Sequence, residues 1–195
     1  MQLPTIALIQ PILADFEPRL RKAIEAGWAD WMKTPNKALF IFPRTRSNAV
    51  FDHIARHAMA EFENDSDVRV VKEKQTVKFL FKGQVFLRIK KANSAGLGQN
   101  IQTQQVLAFI SPQAEIPGLL KDVFKIEICY KLDNLATKME RIVVTARSMN
   151  RKLWAYELRG RGEGAEVVPF PSKGPSDLAP PTVSIRKPKR DTGEE

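Results

Sequence analysis

The sequence predicts an α+β fold: an antiparallel sheet of about five to seven strands, two N-terminal helices packed on one of its faces, and a disordered C-terminal tail. Three observations predict it. Apolar residues recur every three to four positions as far as Phe62, the period falls to two from Val68 onward, and glycine and proline crowd the residues after 159.

Ile12, Phe16, Leu20, Ile24, Trp28 and Trp31 form the first apolar stripe, which places one helix there. Pro18 sits near its start, where a missing N–H does least harm, and Pro35-Asn36 closes it. Ala38 to Phe42 reads as a short strand-like run ahead of Pro43. A second helix is predicted from an N-cap at Ser47 to Phe62, with Val50, Ile54, Ala58 and Phe62 on one face. Val77, Phe79 and Phe81, then Val85, Leu87 and Ile89, alternate with other residues around Gly83, the signature of a hairpin. Pairing Phe81 with Val85 sets Phe79 against Leu87, Lys78 against Arg88 and Leu80 against Phe86. Asn93 to Asn100 is a polar, glycine-bearing loop. Thr103 to Phe109 reads as a short helix capped by Thr103 or as another strand, with the helix preferred. Phe124 to Tyr130 is a third clear strand, and Arg141 to Thr145 and Leu153 to Leu158 supply two more.

Beyond Arg159 lie five of the ten glycines and six of the thirteen prolines, a composition that buries too little apolar surface to offset its ordering entropy. Residues 1–159 are therefore read as one α+β domain and 160–195 as its tail. The tail's acidic and basic residues cancel, which assigns the formal charge of +9 to the domain. At 43% hydrophobic residues the chain can bury a core. A single cysteine excludes a disulfide framework and a cysteine-based zinc site, and fits a cytoplasmic setting. The apolar stretch Leu3 to Leu13 carries two prolines and lacks a basic leader, so it reads as neither signal peptide nor membrane span.

The charge points to an anionic partner. It is densest in residues 68–93, where Arg69, Lys72, Lys74, Lys78, Lys82, Arg88, Lys90 and Lys91 face Glu73 alone. Like charges directly opposite in a sheet repel, so Lys78 against Arg88 is easiest to rationalise beneath a polyanion, with Phe86 free to stack a base. An ordinary solvated sheet face, its lysines discouraging aggregation, is the plainer alternative. Arg44 and Arg46 precede the second helix, where free N–H groups favour a phosphate. Asn93, Asn100 and Gln104, with Thr103, can read base edges or simply hold their loop.

Enzymatic signatures are thin. Gly96-Leu97-Gly98 lacks the third glycine of a dinucleotide fingerprint, and no Gly-Lys-Ser/Thr phosphate loop is present. His53 and His57 have zincin spacing with isoleucine at the place of the general base. The sequence thus predicts no catalytic residue, no metal and no cofactor.

At Arg44-Thr45-Arg46, Arg88 to Asn93, Asn100 to Gln105, Gln113 with Pro117-Gly118, Tyr130-Lys131-Leu132 and Trp154 to Leu158, the chain resembles a family of uncharacterised bacterial proteins. The likeness spans about residues 40–158. That family is similar in setting to accessory proteins of mobile-element, toxin–antitoxin and phage-defence loci. The resemblance implies a bacterial, cytoplasmic protein and draws attention to Arg88, Lys90, Asn93, Asn100, Thr103 and Gln104. The functional expectation is a non-enzymatic DNA- or RNA-binding protein, with no membrane partner. The alternatives are an interaction subunit for an acidic partner protein and a metal-independent nuclease or toxin.

Overall fold

Phe16, Leu20, Ile24 and Trp31 need a common apolar surface, and in a computed structural model of the chain they find it on a sheet. The structure describes residues 3–73, 76–101, 103–112, 114 and 123–158. The expected tail at 160–195 lies outside these, as do Lys74, Gln102, Gln113, Pro117 and Gly118. The elements run α1 (Ile6–Leu13), α2 (Glu17–Lys33), a 3-10 turn (Lys37–Leu39), α3 (Pro43–Phe62), β1 (Val68–Glu73), β2 (Thr76–Phe81), β3 (Val85–Lys91), α4 (Gln104–Ile110), β4 (Phe124–Leu132), β5 (Met139–Ser148) and β6 (Arg151–Glu157). The fold is α+β, with six strands in sequential order.

The helical region differs from expectation in detail. The apolar stripe is split between α1 and α2, and Pro18 falls in the first turn of α2. Ser47 is not a cap. Pro43, whose missing N–H costs nothing in a first turn, opens α3 four residues earlier, after the extended Phe42. Ala38 to Phe42 makes no strand: the 3-10 turn takes up Ala38 and Leu39, and Phe40 stacks on Trp31 with ring centroids 5.7 Å apart. α2 and α3 form an antiparallel pair that closes tightly at Gly27, where an added Cβ would lie 2.5 Å from Ile54 Cα. Arg19 reaches Glu61 at 2.8 Å and Asp65 at 2.5 Å at the far end.

The hairpin register follows the sequence: Lys78 faces Arg88, Phe79 faces Leu87, Leu80 faces Phe86 and Phe81 faces Val85. Phe79, Phe81, Leu87, Ile89, Ile126, Ile128, Ile142 and Val144 supply the helix-covered core, where Phe81 also meets Phe16 and Phe62. One pairing departs from a wholly antiparallel sheet. β3 and β4 run parallel, because the chain leaves β3, crosses the opposite face through α4 and returns in the same direction. That crossover gives the sheet a cover on its second face as well. Thr103 does cap α4, its Oγ1 accepting the N–H of Val106 at 3.2 Å.

Candidate nucleic-acid interface

The face below α4 is where the sequence points to a binding surface, and the structure corrects that expectation. Leu80 and Phe86 pack with Phe109, Ile110 and Val123 in a second apolar cluster, which pulls α4 down over the polar side chains beside them. Lys78 is consequently 5% exposed, Arg88 3% and Phe86 1%. Phe86 meets Phe109 at 5.8 Å between centroids, and the Arg88 guanidinium lies 4.1 Å over the Phe109 ring. None of the three is presented to a polyanion. The repulsion between Lys78 and Arg88 is relieved from within: Lys78 Nζ donates to both Glu73 oxygens at 2.7 Å, and Arg88 donates to Glu127 Oε1 at 2.5 and 3.0 Å.

Glu127 is the centre of this buried network, and reading the sequence as a string of strands missed it. Besides Arg88 it accepts from Arg147 Nη1 at 3.4 Å and from the N–H of Gly98 at 3.1 Å. Burial pushes its carboxyl up, but Arg88 by charge and hydrogen bond, then Arg147 and the Gly98 N–H, hold it below the ordinary range. The signal was available. Leu80 and Phe86 share a face with Lys78 and Arg88, and two apolar residues on a supposedly wet face mark it as covered.

The loop amides work locally. Asn93 Oδ1 accepts from the N–H of Leu97 at 3.0 Å, and Asn100 Nδ2 donates to the carbonyl of Gly98 at 2.7 Å. They shape the turn that presents Gly98 to Glu127. Thr103 and Gln104 stand exposed at the start of α4, and Lys91 is half-buried at the end of β3.

Two expected residues do come to one place. Arg44, exposed in the first turn of α3, lines a groove of about 560 Å³ between α3 and the β1–β2 hairpin. Phe51 forms part of its wall, and Lys90 Nζ stands 5.8 Å from the centroid of that ring. Lys72 lines the opposite side. Asp52 and Glu73 also reach the groove, though Glu73 is engaged by Lys78. Burial, then repulsion from Arg88, lowers the Lys90 ammonium from its ordinary value. Among the described residues no carboxylate lies within ion-pair distance of it, and the charge of Glu127 offsets this cost only in part. Arg46 lies exposed on the same first turn as Arg44.

Other polar residues are engaged elsewhere. His57 Nε2 lies 2.7 Å from Asp30 Oδ2, and His53 Nε2 lies 3.3 Å from Thr34 Oγ1, so the histidines tie α3 to the end of α2. Among the described residues no group of three or more His, Cys, Asp or Glu side chains is arranged to hold a metal, and no helix is long and apolar enough to cross a membrane. Comparison with known proteins finds no matching family model, no matching curated protein and no matching solved structure.

Proposed function

We propose that the protein binds nucleic acid without chemistry, through the groove between α3 and the β1–β2 hairpin. The observation that carries this reading is the groove wall, where Arg44 and Lys72 (the latter also paired with Glu63) flank Phe51, with Lys90 Nζ 5.8 Å from that ring and Arg46 on the same turn of α3 as Arg44. Cations that follow a groove provide the sequence-independent part of polynucleotide affinity, and an aromatic wall suits bases. This reading moves the interface away from Lys78, Phe86 and Arg88, whose charges and ring serve the fold. It keeps the cytoplasmic, bacterial defence or toxin–antitoxin setting that the sequence resemblance implies.

A salt series of equilibrium binding to DNA and RNA tests it, with nuclease activity read on the same samples. Replacing Arg44 and Arg46 with Ala should weaken binding to all sequences and reduce the log–log salt slope by roughly 0.7–0.9 for each phosphate no longer neutralised. Both side chains are exposed, so the fold should survive. An unchanged affinity and slope in the folded double variant would remove the proposal.

A further inference from the structure

Leu39, Ile41 and Phe42 are 73%, 78% and 69% exposed. Phe40 turns inward onto Trp31, and Lys37 Nζ donates to the carbonyl of Met32 at 2.7 Å. The outward direction of the other three is therefore built into the segment rather than left over from a missing core. Between Asp30 and Asp52 the sequence carries Lys33, Lys37, Arg44 and Arg46 and no acidic residue. An apolar ridge with an aromatic member, flanked along the chain by cations and running towards the groove at Arg44, where Asp52 is the exposed acidic neighbour, fits a partner that is anionic outside and apolar within.

We infer that the bound polyanion is single-stranded, with a base stacked on Phe42 while its phosphates follow Arg46 and Arg44 into the groove. This rests on the proposed function and names its substrate. Only an unpaired strand offers base faces: in a duplex they are stacked on one another, and the outside presents phosphate and groove edges. A second copy of this chain is a poor occupant for the ridge, since a two-fold contact would bring the same four cations face to face.

The test uses the full chain, a labelled oligothymidine single strand, a duplex of the same length and vesicles containing phosphatidylserine. The single strand should bind more tightly than the duplex. Phe42→Ala should weaken single-strand binding by about 5- to 150-fold, the range for removing one base–aromatic stack, and leave duplex binding nearly unchanged. Phe42→Trp should restore it. Equal affinity for duplex and single strand, or a folded Phe42→Ala variant that binds the single strand normally, would overturn the inference while leaving the groove proposal standing. Binding to neither oligonucleotide would overturn both. Vesicle binding that Phe42→Ala abolishes, without any single-strand preference, would assign the ridge to a lipid surface instead.

Discussion

Glu127→Gln isolates the charge at the centre of the sheet's second face while nearly preserving the side chain's shape. Glu127 is 1% exposed between Arg88 and Arg147, at 2.5 and 3.4 Å. The amide still accepts a hydrogen bond, but two buried guanidinium groups lose the only carboxylate that bridges them among the described residues. Breaking a buried ion pair from one side costs about 3–5 kcal/mol, since the remaining charge stays desolvated. At roughly 2–4 °C per kcal/mol for a chain of this size, the melting temperature should fall by about 6–20 °C at neutral pH. Thermal and urea denaturation followed by circular dichroism would measure it. The pH dependence supplies an independent check. Because the folded-state pKa of Glu127 is depressed, its contribution is fully present above the unfolded value near 4.5 and is lost as pH falls through the lower folded value. The gap between wild type and variant should therefore narrow in acid. Replacing Arg88, Glu127 and Arg147 together with Met should be far milder than the single change, because no orphan charge remains. A Glu127→Gln protein within about 2 °C of wild type, or a gap that widens in acid, would refute the reasoning.

Two further outcomes follow from the packing. Gly27→Ala should destabilise the protein by about 1–3 kcal/mol or more in urea titration, because the new methyl must displace the Ile54 backbone rather than a flexible side chain. Cys129, fully buried on β4 with burial pushing its thiol well above the ordinary value, should resist a thiol reagent at mildly alkaline pH and react stoichiometrically once unfolded. Rapid reaction of the native protein would show that the α4 cover opens.

The strands were legible because Val77, Phe79 and Phe81, then Val85, Leu87 and Ile89, recur at every second position around Gly83, and the same period set their register. Burial of the second face was only half legible, since Leu80 and Phe86 mark a cover whereas the lysine and arginine beside them ordinarily signal water. Recognising it required pairing Glu127 with Arg88 across a parallel register that no short turn announces. The start of α3 was obscured because Ser47 is a good cap by composition, whereas the helix begins at proline without a side-chain cap. Of the candidate site, Arg44 and Lys90 are legible in the sequence. Phe51 and Lys72 meet them only through the angle at which α3 crosses the hairpin, a relation that neither local period encodes.

The parallel β3–β4 seam raises a question of alignment during folding. Each antiparallel pair in this sheet is linked by no more than six residues, which limits the registers open to it, but β3 and β4 are linked only through the long passage by α4. A slip of one residue at the seam would turn every β4 side chain to the wrong face. A slip of two preserves the faces and the apolar pattern, so hydrophobicity alone discriminates weakly against it. Charge does discriminate: the slipped registers would set Lys125 or Cys129, in place of Glu127, beside the buried guanidinium of Arg88. Neither can neutralise it. The one carboxylate on that face of β4 thus acts as an alignment mark, making the native register the only one of the three in which the two halves of the sheet can close without stranding a charge.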